Sequence, residues 1–315
     1  MAPSSPWLSR LLERRRPADV LADVLADVLS AQQFLRRTAL VWLLLAGGLV
    51  LTGARAIAQQ QQQTPLQVVS AMVQNEKHAR KQRSFFRYTS VERSTRTGGH
   101  LWTENVVETP DGLLRRLIAE DGKPLSPNRA AAEDRRIAAL VADPSALRAA
   151  NADRRADEER MGKVLDALPQ TFLFSADGMQ GDCVRIGFRP NPAFTPSSFD
   201  ERIVHGLAGT ILIRMPDERL CGIEGHLVDR VSFGFGLLGH IDKDSHFRIV
   251  RVPVTATDWK NAHIDVHVGG KVLLFKSISH EEDATHSGAA PLPPRLSLAE
   301  AAALTQPSRP SGSGQ

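Results

Sequence analysis

Three groups of residues have types and spacings that do chemistry. The first is His263-Ile-Asp-Val-His267. On a strand, His263, Asp265 and His267 share one face at intervals of about 6.5–7 Å. Imidazole and carboxylate are zinc ligands, but two histidines so far apart along a strand need further ligands from elsewhere, and none is identified. Simple alternation explains the same segment: Ala262, Ile264, Val266 and Val268 face a core while the polar residues face water. We expect no metal here and keep His263, Asp265 and His267 as the best metal candidate; His280-Glu-Glu-Asp283 has metal-capable types too, but at a strand end, and reads as surface.

The second group is Gly234-Phe-Gly-Leu-Leu-Gly239, which matches G-x-G-x-x-G after a strand-like stretch, Val228–Phe233. A dinucleotide site needs a helix immediately afterwards to receive the pyrophosphate. His240-Ile-Asp-Lys-Asp-Ser245 is a polar loop instead, so no nucleotide cofactor is expected. The segment reads as a hairpin flap presenting Phe233, Phe235, Leu237 and Leu238. Its tip either contacts a ligand or partner, or folds back on the core.

The third group is the pair of cysteines, Cys183 and Cys221. Val184, Ile186 and Phe188 form the apolar face of one strand, so Cys183 points away from them, whereas Cys221 shares its face with Ile223 and Leu227. With strand 208–215 lying between, the Cα atoms would be about 9–10 Å apart, and a bridge needs less than about 7 Å. The pattern therefore predicts no disulfide. Hydrolase elbows, zinc-protease helices, Walker loops and C-x-x-C pairs do not occur. Glu104 and Glu108 read as surface carboxylates. No catalytic residue is assigned, and the chain reads as a non-enzyme.

These residues sit in a chain of ordinary globular composition, 42% hydrophobic and 23% charged. The net charge of +4 is concentrated early: residues 1–58 hold seven Arg and four acids, and the remainder is nearly balanced. A nucleic-acid-binding face is not indicated. Arg36-Arg37, an apolar run of about 16 residues over 38–53, and Ala56-Ile-Ala58 follow the order of a secretory signal peptide. The run is shorter than the roughly 20 residues of a membrane span. Cleavage after Ala58 is expected, with an uncleaved inner-membrane anchor as the alternative. Residues 1–37 are an N-terminal extension, read either as a start site placed too far upstream or as a short cytoplasmic helix. The destination is the periplasm or cell envelope.

After a polar spacer, 59–64, helical spacing of Val68, Val69, Met72 and Val73 behind Pro65 predicts a helix over 65–83. Strands follow at Phe85–Thr95, His100–Thr109 and Leu113–Glu120, separated by Gly98-Gly99 and Pro110-Asp-Gly112. Residues 128–168 have helical composition, and Pro144 divides them into two helices. Strands return at 171–176, 182–189, 208–215, 219–230, 246–254, 260–268 and 271–280, with turn signals between them. Short connections demand antiparallel pairing. Residues 284–315, rich in Ala, Pro, Ser and Gly, read as a disordered tail with one turn of helix near Leu296–Leu304.

Leu114-Arg-Arg-Leu-Ile-Ala-Glu-Asp-Gly-Lys-Pro-Leu125, Gly187-Phe-Arg-Pro-Asn-Pro192, Gly206-Leu-Ala-Gly-Thr210, Phe233–Gly239 and Leu274-Phe-Lys-Ser277 resemble a group of uncharacterised bacterial exported proteins. Over 65–283 the order of helix, strands, helices and long sheet looks like the outer-membrane lipoprotein carrier and sorting superfamily (LolA/LolB-like, with related sigma-factor regulator sensor domains). That resemblance implies an α+β fold: a curved, mostly antiparallel, unclosed half-barrel with helices on its concave side, here carrying the helical insertion 128–168. It also implies an apolar cavity for acyl chains. The expected function is a periplasmic binding module for lipid or a lipidated protein. The alternatives are an envelope sensor or protein-interaction module, and a metal-dependent enzyme using His263, Asp265 and His267.

Overall fold

A computed structural model describes residues 63–82, 84–215, 217–233, 239–272 and 276–307. The expected extension, signal segment and Ala58 cleavage site lie outside these residues. Among the described residues no helix is long and apolar enough to cross a membrane.

Helix α1, Pro65–Lys81, begins at a capping box: Thr64 Oγ1 accepts from Gln67 N at 3.3 Å, and Gln67 Oε1 accepts from Thr64 N at 2.8 Å. Pro65 occupies the first turn, where its missing N–H costs nothing. Its buried stripe is Val68, Val69, Met72, Val73 and Glu76. Four strands follow as a meander: β1 Phe86–Ser94, β2 Leu101–Thr109, β3 Gly112–Glu120 and the short β4 Lys123–Pro124. The β3–β4 turn holds two residues at positive φ, Asp121 (51°) and Gly122 (74°), the geometry of a tight hairpin.

The helical insertion contains three helices, not two: α2 Pro127–Ala142, α3 Pro144–Ala150 and α4 Ala152–Thr171. Pro144 makes the expected break. The second falls at Asn151, whose side chain leaves helical duty to grip β3: Oδ1 accepts from Leu113 N at 2.9 Å, and Nδ2 donates to Leu147 O at 2.9 Å and Leu113 O at 3.3 Å. Then come β5 Phe172–Gln180, β6 Cys183–Pro190, an unanticipated helix α5 Phe199–His205, β7 Leu207–Arg214, β8 Arg219–Leu227, β9 Val231–Phe233, β10 Gly239–Ile241, β11 His246–Pro253, β12 Trp259–Val272, β13 Lys276–Pro291 and α6 Leu298–Leu304.

Among the described residues every pairing is antiparallel, in the order β4-β3-β2-β1-β13-β12-β11-β8-β7-β6-β5, with the β9–β10 hairpin attached to β12. The outer strands β4 and β5 do not meet, so the sheet is an unclosed half-barrel, as expected. The disordered tail is a correction. Residues 284–291 belong to β13, which lies between β1 and β12 in the middle of the sheet. A strand hydrogen-bonded on both sides needs few large side chains, and composition hides it; Ala284 is buried between Glu92 and Ile264. The helix near Leu296–Leu304 is present as α6, and its Ala301 is fully buried.

Following the register across the sheet separates two faces, because directly paired residues point the same way. The inner face carries Ile186, Phe188, Ile211, Ile213 and Leu220, packed against Val68, Val69, Met72 and Val73 of α1 and Leu168 of α4. Toward β9 and β10 it continues with Leu227 and Val268 under Ile203 of α5. The outer face carries Val107 and Leu114, covered by Ile137 of α2, Leu147 of α3 and Ala301 of α6. The insertion therefore splits: α2 and α3 go outside, α4 inside.

Candidate functional site

Because α1, α4 and α5 cover only part of the inner face, a cavity of about 1540 Å³ remains between α1, α4 and strands β8, β11, β12, β13 and β1. Phe188, Leu220, Ile223, Leu227, Ile249 and Val268 are among its apolar walls. All six occupy inner-face positions of their strands; alternation places five of them, and Leu220 joins Ile223 and Leu227 on that face because the register of β8 shifts between them. Gly225 on β8 widens the floor: a Cβ there would lie 2.8 Å from the Phe247 ring and 3.3 Å from Phe188. Its absence makes room for the Phe247 ring.

One charged group is built into this wall. Glu76 of α1 is 5% exposed and accepts from two guanidiniums: Arg219 Nε at 2.8 Å and Arg251 Nη1 at 2.7 Å. Its Oε1 also accepts from Leu220 N at 3.2 Å. Arg251 Nη2 donates to Trp259 O at 3.1 Å, and Arg219 Nη1 donates to Thr257 O at 2.5 Å. Burial alone would raise the Glu76 pKa; Arg251 and Arg219 outweigh it and hold the carboxyl below the usual glutamate range. Nearby, Lys260 Nζ sits 2.8 Å from both Glu108 oxygens and 4.4 Å from the Phe86 ring centroid. Glu108 is thus not a free surface acid.

Farther along the wall, burial pushes the Tyr88 hydroxyl up to about 12. The Tyr88 ring lies 4.8 Å from that of His286, which burial holds below the ordinary histidine range. At the rim, Asp166 of α4 bridges Lys77 (3.0 Å) and Arg80 (3.2 Å) of α1, pinning the two helices together.

On the same face of β1 and β2, Glu104 is buried, correcting its reading as surface. Glu92 and Glu104 share Arg96 at 2.6 and 2.7 Å, and Arg115 is 3.0 Å from Glu104. The set is charge-balanced and closes one end of the inner face.

The structure separates the residues singled out from sequence. His263, Asp265 and His267 all point to the outer face, away from the cavity. His267 stacks on His246 with centroids 5.4 Å apart and lies 3.7 Å from Glu281; His263 lies 3.8 Å from Asp283. Among the described residues no group of three or more His, Cys, Asp or Glu is placed to hold a metal ion. In the flap, β9 and β10 pair as a hairpin, with Phe233 opposite Gly239. Phe235, Leu237 and Leu238 lie outside the described residues.

The cysteines overturn the expectation of free thiols. Cys183 and Cys221 form a disulfide, with Cα atoms 6.8 Å apart. Strand β7 does lie between their strands. However, Leu212 pairs with Gly222 and Ile213 with Leu220, which leaves Cys221 as the extra residue of a β-bulge. The bulge reverses the alternation, so Cys221 leaves the face of Ile223 and joins Cys183 on the outer face. There the bridge packs with Leu212 and Trp259.

Sequence reading also missed Glu76, Arg219 and Arg251. Glu76 left a signal: it falls three and four residues after Val73 and Met72, on the apolar stripe of α1. A carboxylate on a buried stripe needs a cationic partner. Which arginines supply it depends on strands 143 and 175 residues away.

Comparison with protein-family models, curated proteins and solved structures finds no match to this chain.

Proposed function

We propose that this protein is a non-enzymatic module of the cell envelope that holds an apolar ligand, such as a lipid or the acyl chain of a lipoprotein. The observation carrying the reading is the cavity of about 1540 Å³ on the inner face of an open sheet. Apolar pockets of this kind bury most of a ligand's surface. Each buried methylene is worth about 0.8 kcal/mol, so a dozen give a gross ~10 kcal/mol, enough to exceed moderate binding costs. Export to the periplasm is supported by the N-terminal signal order and by the disulfide, since such bridges persist in oxidising compartments. The likeness in element order to lipoprotein carriers points the same way.

The test uses the neutral fluorophore N-phenyl-1-naphthylamine. Purified protein should enhance its emission saturably, near one probe per chain. Ile249→Trp, which fills the cavity from β11, should weaken binding by about tenfold, or ~1.4 kcal/mol. No saturable enhancement, or unaltered binding in a folded Ile249→Trp protein, would sink the reading.

A further inference from the structure

We infer that the occupant is a single-chain amphiphile with a monoanionic head, a long-chain fatty carboxylate, and that Arg219 and Arg251 hold the head. This rests on the cavity being a ligand site. One carboxylate, Glu76, serves two guanidiniums at 2.8 and 2.7 Å, which leaves the trio one positive charge in excess. The three side chains are only 6%, 11% and 15% exposed, so bulk water does little to screen that surplus. All three line the cavity.

No acid other than Glu76 forms an ion pair with Arg219 or Arg251 among the described residues. Lys260 is matched by Glu108 at 2.8 Å. Asp258 keeps its negative charge, but its carboxylate is held by its own loop, accepting from Thr255 Oγ1 at 2.7 Å and Thr257 Oγ1 at 3.1 Å, and pairs with neither arginine. Around the whole cavity, nine Lys and Arg face six Asp and Glu, so the surplus at the trio has the same sign as the wall at large. The greasy floor formed by Ile223, Leu227, Ile249 and Val268 belongs to the same cavity. A ligand with a fatty chain and one negative charge meets both environments at once. Guanidinium forks match carboxylate geometry, and the trio already holds one carboxylate in this way.

Displacement of the neutral naphthylamine probe by dodecanoate, 1-dodecanol and 1-lauroyl-lysophosphatidylglycerol tests the assignment. Dodecanoate should displace the probe at a concentration about tenfold lower than dodecanol. Arg251→Gln leaves a neutral Arg219–Glu76 pair and should abolish the preference. Glu76→Gln raises the surplus and should enlarge it. Thermal melts report whether each variant folds, and the acid-against-alcohol comparison on the unaltered protein decides even where a variant does not. Equal displacement by acid and alcohol overturns head recognition while leaving the cavity reading intact. Displacement by neither overturns both. Tighter displacement by the chain-matched lysophospholipid overturns the carboxylate assignment.

Discussion

At the scale of single residues, the buried ionisable groups make stability depend on pH in a direction that can be worked out. Burial lowers the folded-state pKa of His286 below its ordinary value of 6.5. The unfolded chain then binds a proton that the folded protein refuses. Stability from this group is full above about pH 6.5 and declines as pH falls toward the lowered pKa. Glu76 acts in the same sense at lower pH: its stabilisation is complete above the usual glutamate range and is lost as pH falls through the depressed folded-state pKa. Melting temperature should therefore fall between pH 7.5 and pH 5.5, and His286→Gln should flatten that slope. An unchanged slope in the variant would show that buried His286 is not its source. Among the charged residues of the site, Glu76 escaped sequence reading although its place on an apolar stripe had left a signal. His286 sits among small residues in a segment whose composition resembles a tail, and only its position in β13 reveals its burial.

At the scale of elements, most strands and the first helix follow directly from local pattern, since alternation and capping act within a few residues. Departures come where one extra residue or one distant partner changes the outcome. The bulge at Cys221 adds a single residue and exchanges two faces, so regular alternation gave the wrong orientation for its thiol. The helix break at Asn151 depends on backbone groups of Leu113, 38 residues earlier. The disulfide spans 38 residues, so a chain-entropy estimate for reducing it is about 3–4 kcal/mol. Denatured, unreduced protein should give a thiol count of zero. The Cys183→Ser/Cys221→Ser double variant should unfold at lower denaturant with a steeper transition, because the denatured chain without its cross-link exposes more surface. Two titratable thiols per chain, or an unaltered midpoint, would count against the bridge.

At the scale of the whole molecule, the inner face is covered at the β5–β8 end by α1 and α4, while α2, α3 and α6 pack on the outside of β2 and β3. That division of the helices is why the cavity remains open: had the entire insertion packed inside, the space beside β11–β13 would be filled. A ligand that binds the folded state alone stabilises it by mass action, by about 2.7 kcal/mol at a hundredfold excess over its Kd. Adding dodecanoate should raise the melting temperature progressively with concentration, and Ile249→Trp should need about tenfold more dodecanoate for the same increase. A flat response in the parent protein would mean that the cavity does not take up the chain.

By itself the sequence determined the α+β class, the antiparallel pairing and the inward set of each regular strand. These depend on periods of two and 3.6 residues and on turns of two, all interactions between near neighbours. Only the tertiary structure decided that β13 closes the middle of the sheet, that the helical insertion divides between two faces, that Cys221 meets Cys183, and that Arg219 and Arg251 converge on Glu76. Each of these joins segments far apart in the chain through strand order and register, and a local pattern of side chains carries no information about which distant strand will lie beside it.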